Sequence, residues 1–66
     1  MIYIVEYGFD HEGGNSVYMV TESLERAKLA CDECSLADYQ HVLSYNLDEI
    51  VDFMDNHKKR VYLTYN

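Results

Sequence analysis

The chain has 66 residues, with 12 acids against five Lys and Arg and a formal net charge of −7. That length supports one core, so residues 1–66 are expected to form a single compact domain. A domain this small buries only about 60% of the surface its unfolded chain exposes, so association with a copy of itself or with another protein would add stability. An apolar content of 48% argues against disorder despite the charge. No apolar run approaches the roughly 18 residues of a membrane span. The chain opens on "MIYIVEY", which has neither the basic region nor the cleavage site of a signal peptide, so a cytoplasmic location is expected.

In chain order, Ile2 to Tyr7 and Ser16 to Thr21 alternate apolar and polar residues with β-branched and aromatic content, which predicts two strands. The loop between them, Gly8 to Gly14, is longer than a tight hairpin needs. Ser23 is a good N-cap for a helix from Leu24 to about Cys34. Leu24, Ala27, Ala30, Cys31 and Cys34 share one face of that helix, and Leu29 falls on its polar side. Tyr39 to Tyr45 alternates like a third strand. "NLDE" at 46–49 has the form of a capping box and predicts a second helix to about Asn56. Its apolar stripe would be Leu47, Ile50, Val51 and Met54 with Phe53 beside them, and Asp48, Asp52 and Asp55 would lie opposite. Arg60 to Tyr65 is the last predicted strand. The order ββαβαβ implies an α+β two-layer domain, with a mainly antiparallel sheet of three or four strands and both helices on one face.

Alternation sorts the strand residues into two sets. Ile2, Ile4, Val17, Met19, Val61 and Leu63 form an aliphatic set, the natural core. Tyr3, Val5, Tyr7, Tyr18, Val20, Tyr62 and Thr64 form the other, which would face away from the helices. Two short helices cannot cover both sides of a sheet, and this face is too apolar for a plain solvated one. Tyrosine gives large contact area at small entropic cost and keeps a hydroxyl for hydrogen bonding. Tyr3, Val5, Tyr7, Tyr18, Val20 and Tyr62 are therefore the expected interface with a partner or a second copy.

The charges are uneven. Residues 1–25 hold five acids and 29–57 hold seven, with no Lys or Arg in either stretch. Direct nucleic-acid binding needs basic patches, so it is disfavoured. An acidic chain suits a partner protein with a basic surface. Asp10, Glu12, Asp48, Glu49, Asp52 and Asp55 are the expected acidic contact surface. Asp48, Glu49, Asp52 and Asp55 on the expected acidic helix face also fit a second reading, a nucleic-acid mimic that occupies a basic nucleic-acid-binding site.

A third reading is a small metal-dependent or redox enzyme. Cys31-Asp-Glu-Cys34 has the spacing of a zinc knuckle or redox pair, with His41 and His57 available. Both cysteines fall on the apolar face of a helix and no second CxxC exists, so core packing is the expectation. Asp10-His11-Glu12 lacks the oxygen spacing of an EF-hand loop, and no glycine-rich phosphate motif is present. No nucleophile has a supporting motif. No cofactor, no metal and no catalytic residue are expected.

"YIVEYGFDHEGG" (residues 3–14), a following strand, and "SLERAKLA" (residues 23–30) with its Ser23-x-Glu25-x-Ala27 opening resemble a group of small bacterial and phage proteins. The likeness covers about the first thirty residues and carries over no site residue. It implies a context, that of phage accessory factors which inhibit host proteins. The expected function is then a non-enzymatic inhibitor, encoded by a phage and acting in the host cytoplasm. Its target would be a host defence or nucleic-acid-processing protein, met as a homodimer or other homo-oligomer, or directly.

Overall fold

The computed structural model describes residues 1–52 and 55–66. The period-2 segments form strands β1 (Ile2–Gly8), β2 (Asn15–Thr21), β3 (Tyr39–Tyr45) and β4 (Arg60–Tyr65), and helix α1 spans Leu24–Glu33. The strands make one antiparallel sheet in the order β2-β1-β3-β4, so β2 and β4 are its edges. The chain is α+β with one α-helix among the described residues. No helix there is long and apolar enough to cross a membrane.

α1 forms where its cap and stripe place it. Ser23 Oγ accepts from the Arg26 backbone N–H at 3.1 Å, and Cys34 closes the other end by donating its N–H to Ala30. Ala27, Ala30 and Cys31 are buried and pack on Val5 and Val42 of the central strands, with Tyr3, Met19, Leu24 and Tyr62 around them.

The expected second helix is corrected. Residues 46–52 hold a turn and irregular chain, and a short 3-10 helix follows at Asn56–Lys59. The capping contact itself forms: the Asn46 N–H donates to Glu49 Oε1 at 2.9 Å. The helix does not propagate from it because Asp48 sits at φ 65°, in the left-handed region. Continuation would also align Asp48 with Asp52 and Asp52 with Asp55, like charges at helical spacing in a residue type that favours helices poorly. Leu47 and Ile50 of the expected stripe are exposed, Ile50 at 90%. Phe53 and Met54 lie outside the described residues. The two-helix ββαβαβ arrangement is thus replaced by four antiparallel strands and one helix.

The sheet also turns its faces the other way. Residues paired across antiparallel strands share a face. Tyr3, Val5 and Tyr7 pair with Ser44, Val42 and Gln40, and Tyr62 pairs with Val42, so the tyrosine-bearing side lies under α1. Ile2, Ile4, Glu6 and Gly8 face the other side with Tyr45, Leu43, His41 and Tyr39. The reason is volume. Along its middle α1 presents two alanines and a cysteine inward, with Leu24 at its start, so large side chains from the sheet must fill the layer. Tyrosine suits that place because its hydroxyl can reach the rim: Tyr62 Oη donates to Asp32 Oδ1 of α1 at 2.6 Å.

Two bulges explain why simple alternation mixes the sets. In β2, Val5 pairs with Met19 but Glu6 pairs with Val17, which leaves Tyr18 as the extra residue. Met19 therefore faces α1 while Val17 and Val20 face away. In β4, Val42 pairs with Tyr62 and Leu43 with Arg60, so Val61 is the extra residue.

Candidate functional site on the side of the sheet away from the helix

The side of the sheet away from α1 carries a chain of polar contacts across three strands. Glu6 on β1 and His41 on β3 are register partners, and Arg60 opens β4 on the same side. His41 Nε2 lies 2.8 Å from Glu6 Oε1, and Arg60 Nε donates to His41 Nδ1 at 2.9 Å. Since Nδ1 accepts, the ring proton is assigned to Nε2, which donates to the carboxylate. His41 is only 1% exposed and both its nitrogens are engaged. It positions Glu6 and has no lone pair left for proton transfer to a substrate.

Gly8, Asn15 and Tyr39 build the neighbouring wall. Gly8 pairs with Asn15 on one flank and Tyr39 on the other, and their side chains meet across it, Tyr39 Oη donating to Asn15 Oδ1. A Cβ at Gly8 would fall 2.6 Å from Tyr39 Cζ, so this close approach needs glycine. Asn15 Nδ2 in turn donates to Glu6 Oε1 at 3.4 Å. Glu6, Gly14, Asn15, Val17, Tyr39 and Asn56 line a cavity of 440 Å³, within the about 300–1,000 Å³ range of small-ligand sites. Val17 on its rim is 59% exposed, and Val20 further along β2 is 60% exposed.

A second cavity, of 170 Å³, lies among Tyr45, Glu49, Ile50, Asp52, Asp55, Asn56, Lys58 and Lys59. Its charges are engaged internally. Glu49 pairs with Lys59, whose hydrogen bond, ahead of the Asn46 N–H, pulls the Glu49 carboxyl below the usual range. Asp55 Oδ2 lies 3.6 Å from Lys58 Nζ. Lys59 Nζ also sits 5.4 Å above the Tyr45 ring. Burial pushes the Tyr45 phenol up, so it stays protonated, and its hydroxyl has no hydrogen-bond partner among the described residues.

The expected interface residues are divided. Val5 is wholly buried, and Tyr3 and Tyr62 pack on the core beneath α1. Tyr7 makes edge contacts with Phe9 and Tyr18, at ring separations of 6.5 and 6.3 Å, on the same side. Val20 alone of that set faces the side away from α1. The expected acidic surface is divided too. Glu49, Asp52 and Asp55 gather at the smaller cavity, and Asp48 occupies the turn before it. Asp10 and Glu12 lie in the β1–β2 loop, where the Asp10 N–H donates to Asp38 Oδ2 at 2.9 Å and Glu12 Oε1 lies 3.6 Å from His11 Nε2. The helical spacing that a nucleic-acid mimic would present is not formed by residues 46–52.

The cysteines occupy the core. Cys31 Sγ lies 3.4 Å from Thr64 Oγ1, and desolvation raises its thiol above the ordinary value, which keeps it protonated and a poor nucleophile. No group of three or more His, Cys, Asp and Glu among the described residues is placed to hold a metal ion.

Glu6, Asn15, Tyr39, His41, Asn56 and Arg60 are the residues sequence reasoning missed as a set. One signal was present: Glu6 follows Ile2 and Ile4 at alternate positions on the aliphatic side of β1. A buried charge in a strand needs a partner. Comparison with family models, curated proteins and solved structures found no match, so no site residue comes to this chain by homology.

Proposed function

We propose that this chain is a non-catalytic protein-binding module that engages a basic partner along β2, on the side of the sheet away from α1. The observation that carries this reading is the exposure of Val17 and Val20 on an edge strand, beside a cavity floored by the Glu6 carboxylate. Two exposed valines next to a shaped polar pocket form an apolar contact with a specificity element, as interfaces combine them. The net charge of −7 steers a basic surface toward it. β2 also leaves one row of backbone groups unpaired, to which a partner strand can add. The resemblance of the first thirty residues supports a narrower form, a phage-encoded inhibitor of a host defence or nucleic-acid-processing protein. Self-association along β2 is the homodimeric form of the same contact.

Affinity capture from a bacterial lysate, run in parallel with wild type and V17S/V20S, tests the reading. Both valines are exposed, so the variant keeps its fold by circular dichroism. Wild type is expected to retain a basic protein that rising salt releases, and the variant to lose it. Equal capture by a folded variant would contradict the assignment.

A further inference from the structure

We infer that the 440 Å³ cavity is a receptor for a single arginine side chain presented by the partner. This deepens the proposed function by naming what the partner inserts, and it rests on that reading only for the source of the arginine. Both donors to Glu6, from His41 and Asn15, converge on Oε1. Among the described residues Oε2 is therefore the oxygen left for a ligand, in a side chain only 9% exposed on a residue that lines the cavity. A carboxylate held this way selects a cationic donor. An anion would meet both Glu6 and the overall negative field. A divalent ion would find one carboxylate and no group of three ligands among the described residues.

Guanidinium fits better than ammonium. It presents planar donors to several acceptors at once, and the Glu6 carboxylate shares the cavity lining with two amide residues, Asn15 and Asn56. The Tyr39 ring and Val17 give its plane and aliphatic stem surfaces to pack against. The hydrogen-bonded line Glu6–His41–Arg60 keeps the carboxylate from rotating away, so the site is pre-organised before any ligand arrives. The smaller cavity has no comparable opening for a cation, because Lys58 and Lys59 already occupy Asp55 and Glu49.

The test is a titration of the ¹⁵N-labelled chain with Nα-acetyl-arginine methylamide, and separately with the citrulline analogue, an uncharged isostere. Saturable shifts at the side-chain amides of Asn15 and Asn56 are expected with arginine, at a dissociation constant on the order of 1 mM. Citrulline should bind about tenfold more weakly or worse. E6Q is expected to lose the arginine preference. Since Glu6 also supports the fold, V17K provides an independent variant: Val17 is exposed, and a lysine there tethers a cation at the cavity rim. It should weaken arginine binding about tenfold through competition. Equal binding of citrulline, no shift at Asn15 and Asn56, or an unaffected V17K would overturn the inference. Because the probe is a single blocked arginine residue and no partner protein, such a failure leaves the V17S/V20S capture result standing, and loss of the capture result leaves a positive titration standing.

Discussion

H41A is expected to cost the fold about 3 kcal/mol, the scale for taking the main donor from a buried carboxylate and leaving a cavity. His41 is 1% exposed and its Nε2 lies 2.8 Å from Glu6 Oε1. Alanine would leave the Glu6 carboxylate buried with only the longer contact from Asn15, and would empty the space the imidazole fills between β1 and β4. A chain of this length has a total stability of about 3–10 kcal/mol, so the variant should be largely unfolded or close to it. Replacing both partners by leucine removes the charge with its donor and should recover most of the loss, because an apolar pair of similar volume carries no desolvation cost. Urea unfolding followed by circular dichroism, with E6L, H41L and E6L/H41L as a cycle, gives the coupling. A loss below about 1 kcal/mol in H41A would show that this pair is not buried as described.

Y62S should cost about 2–3 kcal/mol, whereas V61S beside it should change stability by no more than about 0.5 kcal/mol. Tyr62 packs on the core cluster, donates its hydroxyl to Asp32 and lies 5.4 Å beneath Lys28 Nζ. Val61 is the bulge residue and is 50% exposed. Were the aliphatic set the core, the ranking would reverse. The same chemistry alters what a tyrosine-to-serine series can reveal: substituting Tyr3 and Tyr62 removes core packing beneath α1, so any lost binding would follow from lost folding. Thermal or urea midpoints for the two single variants decide the matter.

Local signals carried the strands and the first helix well. β3 and β4 run over the expected residues, and α1 begins at its serine cap and buries the i, i+3, i+4 set Ala27, Ala30 and Cys31. Face assignment was harder because it depends on pairing. Tyr18 and Val61 read as ordinary members of alternating runs, and only their opposition to other strands makes them bulges that reverse parity. The preference of α1 for tyrosines beneath it follows from how little volume its inner face supplies, a property of two elements together.

The capping box at 46–49 shows the limit of a local motif. Its hydrogen bond forms, yet a left-handed Asp48 and the aspartates that follow stop the helix there. The candidate site was legible only in fragments. Glu6 and His41 are 35 residues apart and meet because β1 takes the place between β2 and β3. Arg60 opens the last strand and Asn56 falls where the expected second helix would end, so no spacing rule connects either to Glu6.

α1 seals the tyrosine-bearing side, while on the opposite side β2 stays exposed at Val17 and Val20. Methyl relaxation in the presence of a soluble gadolinium chelate measures this residue by residue. Strong enhancement at Val17 and Val20, with none at Val5 and Val42, is the predicted result. Protection of Val17 and Val20 together with enhancement at Val5 would contradict it.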